Sequence, residues 1–212
     1  MSQVPVVHAV TNDEVLLRGD FLDVAKTVMV ALGPRGAVHL RARWITARRL
    51  YELGLRLAEL GKETGCWGVV NDRLDVACAA GIESVQLTSR SVPVADAVRE
   101  WPELRIGASV HSRADAISAE ESGALWCIAG SAFPTSSHPG EAPAGPELLE
   151  EIADAVRIPV VGIGGISPES AAQLLRAGVH GVATISGIWH APDVGEAARR
   201  YLSAYDAHEG VG

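Results

Sequence analysis

The sequence predicts an α/β fold, a (β/α)8 (TIM) barrel that takes residues 1–212 as a single domain. Three observations carry that expectation. Short apolar runs of strand length recur eight times along the chain, stretches with apolar residues three and four apart separate them, and glycines close several of those stretches. Strands without polar alternation are buried on both faces, and parallel strands need helical crossovers, so the alternation implies a parallel sheet wrapped in helices. An open doubly wound sheet is the competing architecture, but it usually holds about five or six strands.

The predicted strands are Val4–Val10, Ala37–Arg41, Trp67–Val70, Ser84–Leu87, Ile106–Val110, Trp126–Ala129, Val160–Ile163 and Gly181–Ile185. His8 interrupts the first and is expected to be a polar group of the barrel interior. The stretches 47–60 and 168–177 show the helical spacing most clearly. Gly81, Gly123 and Gly178 follow helical runs, where a left-handed cap favours glycine. Ser112, Ser167 and Asp72 precede helices as N-cap candidates. Residues 131–145, rich in Pro, Gly and Ser, read as one long functional loop.

Composition narrows the function. Hydrophobic residues make up 48% of the 212, enough for a sizeable core, and 18 Lys+Arg against 26 Asp+Glu give a net charge of −8. With no basic run to neutralise a row of phosphates, a nucleic-acid partner is not expected. No apolar segment reaches the roughly 18 to 20 residues needed to span a bilayer, and the N-terminus lacks a signal-peptide pattern, so no membrane partner and a cytoplasmic location are expected. Cys66, Cys78 and Cys127 show no CxxC spacing and read as buried reduced thiols.

In this barrel chemistry sits at the C-terminal ends of the strands. That rule selects Arg41 and Arg43, Asn71 and Asp72, Thr88 to Ser91, Ser109 and His111, the loop from Ser131 to His138, Gly164 and Gly165, and Ser186. Two inward cations at 41 and 43 are costly unless an anionic ligand meets them or Asp72 pairs with them. The run Val160-Val-Gly-Ile-Gly-Gly-Ile-Ser-Pro ends strand seven in two glycines and opens a helix, while strand eight ends in Thr184-Ile-Ser-Gly. Glycines let the backbone approach an anion, and the loops after strands seven and eight are the usual phosphate site, giving Gly164, Gly165, Ile185 and Ser186 as phosphate contacts.

Four ordered motifs, Val70-Asn-Asp-Arg-Leu-Asp-Val-Ala, Ile106-Gly-Ala-Ser-Val-His-Ser, Gly130-Ser-Ala-Phe-Pro-Thr-Ser-Ser-His and Val161-Gly-Ile-Gly-Gly-Ile, resemble the thiamine phosphate synthase and thiazole tautomerase (TenI-like) superfamily. The resemblance implies a barrel that binds a thiazole carrying a phosphoethyl arm. A synthase of this kind joins the thiazole to an aminopyrimidine diphosphate and releases pyrophosphate with Mg²⁺ assistance; a tautomerase shifts a proton within a carboxylated thiazole phosphate. Thr135, Ser136 and Ser137 match the thiazole-binding loop, and Arg41, Arg43, Asn71, Asp72, Arg90 and Ser109 are the further substrate-binding candidates.

The chain departs from the synthase pattern on the pyrophosphate side. Where synthases read Gln-Leu-Arg-Glu-Lys, it reads His39-Leu-Arg-Ala-Arg43. Asp72 matches a Mg²⁺ ligand, but the partner carboxylate is replaced by Ser91 beside a new Arg90, and the lysine closing the thiazole loop is His138. Mg²⁺ favours hard anionic oxygens, so this exchange weakens metal binding. These departures resemble the tautomerase branch, although the histidine acting as acid/base there matches Ser131 here. His138 is then the expected general acid/base, with His111 second. Three readings follow: a metal-independent tautomerase needing no cofactor, taken as the main one; a divergent synthase using Mg²⁺; and a non-catalytic thiazole phosphate binder. Homo-oligomerisation stays open.

Overall fold

The structure, a computed structural model, describes residues 3–135 and 142–209. Eight parallel strands alternate with helices: β1 (Val7–Val10), α1 (Asp13–Leu16), α2 (Phe21–Leu32), β2 (Gly36–Leu40), α3 (Ala47–Thr64), β3 (Trp67–Asn71), α4 (Leu74–Ala80), β4 (Ser84–Leu87) and α5 (Val94–Glu100). The second half continues with β5 (Arg105–Val110), α6 (Arg113–Glu121), β6 (Trp126–Gly130), α7 (Pro146–Ala155), β7 (Val160–Ile163), α8 (Pro168–Arg176), β8 (Gly181–Thr184), α9 (Ser186–Trp189) and α10 (Val194–Glu209). Each strand pairs with the next, and β1 pairs with β8 through Val7–Val182, His8–Ala183 and Ala9–Thr184, which closes the predicted barrel.

Two apolar layers hold it. Helix faces pack on the outside of the sheet, while Val10, Ala37, Trp67, Val69, Trp126, Ile128, Val161 and Ala183 fill the interior. Trp126 meets Trp67 edge to face at 6.1 Å, and its indole occupies the space beside Gly107, where a Cβ would stand 2.1 Å from the ring. Arg105 lies 4.0 Å over the Trp67 ring at the N-terminal end of the barrel. That end is therefore plugged, and the opposite end is left for ligands.

Local signals read from the sequence hold at most helix ends. Ser112 accepts from the Asp115 N–H and Ser167 from the Ser170 N–H, and Gly81, Gly123 and Gly178 all take positive φ. Asp72 is a correction: it adopts φ +63° two residues before α4, whose cap position is Arg73, and its carboxylate bonds the loop after β4 instead. Cys78 is a second, being exposed because α4 buries Leu74, Val76, Ala77 and Ala80 on its other face; Cys66 and Cys127 are buried, with their thiols pushed up to about 12 by desolvation. β2 ends at Leu40, so Arg41 and Arg43 belong to a loop and not to a strand end. Among the described residues, no helix is long and apolar enough to cross a membrane.

Candidate active site

The C-terminal strand ends open into one cavity of about 1100 Å³. It gathers Arg41, Arg43, Asn71, Arg90, Ser109, Thr135, Gly164, Gly165, Ile185 and Ser186, which the sequence placed after seven separate strands. Asp72 and Ser91 stand behind this lining. Ser136, Ser137 and His138 lie outside the described residues. His111 lies exposed at the rim, with its backbone N–H donating to the Asp115 carboxylate at 3.0 Å.

At the β7 and β8 side the chain is shaped by the glycine pair. Gly164 and Gly165 take φ +103° and +62°, and the loop after β6 is laid on them: the Ala132 N–H donates to the Ile163 carbonyl at 2.9 Å and the Phe133 N–H to that of Gly164 at 3.0 Å. A Cβ on Gly165 would stand 2.3 Å from the Pro134 carbonyl oxygen. The pair thus meets two demands, a left-handed backbone and a close crossing of two loops. The first turn of α8, capped by Ser167, and the segment Ile185–Gly187 complete this side of the cavity lining.

At the β2 to β4 side the side chains are cationic. The Asp13 carboxylate accepts the backbone N–H groups of Arg43 (3.0 Å), Trp44 (2.8 Å) and Ile45 (3.2 Å), which ties the loop after β2 to the start of α1. Partial burial alone would raise the Asp13 pKa, but those N–H groups together hold it below the usual carboxylate range. Half-buried Arg41 titrates lower than a free arginine, through desolvation first and then the charges of Arg43 and Arg90. Among the described residues none of these three guanidiniums forms an ion pair.

The floor is polar and fully enclosed. His39 and Gln86 are both 0% exposed yet border the cavity. Gln86 accepts from the Trp126 indole N–H at 2.8 Å and donates to Ser109 Oγ at 3.1 Å. His39 bonds His8 and Asn71, and burial pushes its pKa down to about 4. Sequence reasoning passed over His39, Gln86, Asp13 and Trp44 as site residues; a lone polar residue inside an apolar strand was the signal available for the first two.

A family model described as thiamine monophosphate synthase matches residues 7–188. The thiamine-phosphate synthase of Pyrococcus furiosus is 40% identical over 165 residues, 78% of this chain and 80% of the relative. The chain belongs to the thiamine monophosphate synthase family. Another relative, the thiamine-phosphate synthase of Moorella thermoacetica, is 41% identical over 171 residues, covering 79% of this chain and 81% of that one. A solved thiamine phosphate pyrophosphorylase from P. furiosus superposes with a TM-score of 0.84 at 34% identity and covers 96% of both chains. A 3-hexulose-6-phosphate synthase at 16% identity, TM-score 0.68, shares the fold alone. These relatives carry synthase names, which corrects the expectation that the chain leans to the tautomerase branch.

Mg²⁺, which synthases of this family imply, does not fit the donor set. The Asp72 carboxylate oxygen Oδ1 accepts from the Thr88 N–H at 3.0 Å, from the Thr88 hydroxyl at 2.7 Å and from the Ser91 hydroxyl. That oxygen is engaged three times by the protein, position 91 offers a hydroxyl where the family's pattern has a second carboxylate, and Arg90 is carried on the same turn. Among the described residues no three His, Cys, Asp or Glu side chains gather as a metal site. Octahedral Mg²⁺ coordination would find a single carboxylate, engaged at one oxygen, on a side of the cavity lined by three arginines.

Proposed function

We propose that the chain is a transferase of the thiamine phosphate synthase kind, the alternative to the tautomerase reading. The thiazole phosphate sits with its phosphate among Gly164, Gly165, Ile185 and Ser186, and the aminopyrimidine diphosphate directs its diphosphate to Arg41, Arg43 and Arg90. The observation that carries this reading is the pair of anion-holding ends, one of backbone donors and one of guanidiniums, on opposite sides of a single mouth. The single substrate of a tautomerase also carries two anionic groups, a phosphate and a carboxylate, but three guanidiniums at one end suit the larger charge of a diphosphate.

The chemistry suits the side chains available. The thiazole ring nitrogen attacks the methylene carbon of the pyrimidine, the bond from that carbon to the diphosphate oxygen breaks, and the diphosphate leaves with the electron pair. No proton has to move. Guanidiniums that meet the leaving oxygens supply charge stabilisation without reorganisation, and a preformed cleft supplies orientation. Proton transfer at carbon instead calls for a group that titrates near neutrality. His39, on the floor, is held near 4 with both nitrogens engaged, and Ser131 stands where the tautomerase histidine would.

Product analysis tests the reading. The pure protein given thiazole phosphate and aminopyrimidine diphosphate is expected to form thiamine phosphate and pyrophosphate. Isomerisation of carboxythiazole phosphate with no thiamine phosphate formed would overturn it.

A further inference from the structure

We propose that the β2 to β4 side of the mouth binds a diphosphate group through guanidinium charge in place of a divalent metal, so that Mg²⁺ is neither needed for the binding nor strengthens it. The identity of the organic part of the ligand rests on the transferase reading above; the anion site does not.

Arg41, Arg43 and Arg90 border one cavity, and the charges of Arg43 and Arg90 act on Arg41, yet none of the three has an ion-pair partner among the described residues. Half-burying one cation beside two others is unfavourable by itself, and an anion seated among them reverses the sign of each interaction. The nearby carboxylates Asp72 and Asp13 act on Arg41 too, but less than the two arginines do, and neither forms an ion pair with it among the described residues. Asp13 is engaged by three backbone N–H groups, and Asp72 by Thr88 and Ser91. Glu14, exposed at the rim, is the remaining acid on this side of the lining.

Asp72 has a different task in this arrangement. Thr88 donates its hydroxyl to Asp72 and accepts the Arg90 N–H at 3.3 Å, so the carboxylate anchors the turn that carries Arg90. It is a positioning residue for a cation where the family's pattern has a metal ligand. The forked donors of arginine match phosphate oxygens two at a time, and three such forks offer the charge a diphosphate needs.

Calorimetric titration of the full chain with inorganic pyrophosphate, in EDTA and in Mg²⁺, tests this. Binding in EDTA is expected to be at least as tight as in Mg²⁺ and to weaken with salt. Arg90→Ala is expected to weaken it about tenfold. Asp72→Asn, whose amide oxygen still accepts from Thr88 and Ser91 while the negative charge beside Arg41 is gone, is expected to keep binding in EDTA or to tighten it, which loss of a metal ligand would not do. Binding seen in Mg²⁺ alone, loss of binding in Asp72→Asn, or no binding in either buffer overturns the proposal. If thiamine phosphate nevertheless forms with Mg²⁺, the transferase reading stands and this inference falls; if neither product nor binding is seen, both fall.

Discussion

His8 and His39 share a 2.8 Å hydrogen bond between ring nitrogens inside the closed barrel. The bond fixes the direction of a whole chain of groups. His8 Nε2 faces the Pro5 carbonyl at 2.9 Å, an acceptor, so Nε2 carries the proton and Nδ1 of neutral His8 accepts from His39 Nε2. His39 Nδ1 then holds a lone pair and needs a donor. The Asn71 amide stands 3.1 Å away with its oxygen toward that lone pair, and turning it by half a revolution supplies the N–H donor. A neutral pair thus turns the Asn71 carbonyl oxygen away from His39, on a residue that lines the cavity.

Acid should break this chain. Desolvation holds both histidines below the ordinary histidine value of about 6.5, His39 at about 4. Because the folded pKa lies below the unfolded one, the unfolded chain binds the extra proton first, and stability present above about pH 6.5 is lost as pH falls toward 4. For His39 alone that loss is about 3 kcal/mol. Urea denaturation at pH 7 and pH 4.5 checks it: His39→Gln, which does not titrate, is expected to reduce the difference, with His8 keeping its own share. A difference as steep as that of the wild type would show that His39 is not the group responsible.

Asp13 shows what one carboxylate does for a loop 30 residues away. Asp13→Ala removes the acceptor for three backbone N–H groups at Arg43, Trp44 and Ile45. The expected cost is about 1 to 2 kcal/mol of stability, since water can reach the freed N–H groups. Pyrophosphate affinity is expected to fall several-fold because Arg43 loses its mooring, with thiazole phosphate affinity kept. Equal loss of both ligands would mean the effect is global and not confined to the loop.

The barrel was legible because its signal is local. An apolar run such as Val160–Ile163 announces a strand buried on both faces, and β4 and β7 match their predicted bounds. Bounds slipped where hydrophobicity outlasts hydrogen bonding: Val4 is apolar but lies before β1. The site was legible by position, since strand ends converge whatever they carry. Its partners were not. His39 touches His8 across 31 residues and Asp72 touches Ser91 across 19, and no periodicity reports such contacts. The lean toward a tautomerase came from Ser91, Arg90 and His138. Two of those describe how an anion is held, which does not decide the bond that is made; His138 lies outside the described residues.

Gly165 separates the two ends of the mouth. A side chain there must adopt φ +62° and would stand 2.3 Å from the Pro134 carbonyl oxygen. Gly165→Ala is expected to cost about 2 kcal/mol of stability and at least tenfold in thiazole phosphate affinity. Gly165→Asp adds like charge and should abolish that affinity. Pyrophosphate affinity should change little in both. Calorimetry with each ligand checks this, and undiminished thiazole phosphate binding by Gly165→Asp would sink the phosphate assignment.

Ser91→Asp reverses the exchange that removed the metal. Ser91 Oγ donates to Asp72 and accepts the Thr88 N–H at 3.0 Å, so a carboxylate at 91 would face the one at 72 within bonding distance. Two like charges there repel, and one of the pair is driven to hold a proton. Stability in EDTA is expected to fall by about 2 kcal/mol. A divalent cation that bridges the pair relieves the repulsion and binds only the folded chain, so Mg²⁺ is expected to raise the melting temperature of the variant and leave that of the wild type unmoved. The shift should be smaller than a pair of carboxylates alone would give, because Arg90 stays on the same turn; Arg90→Ala added to Ser91→Asp should enlarge it. Thermal melts of the three proteins in EDTA and Mg²⁺ check this. A Ser91→Asp variant as stable as the wild type and equally blind to Mg²⁺ would mean that residues 72 and 91 do not face each other.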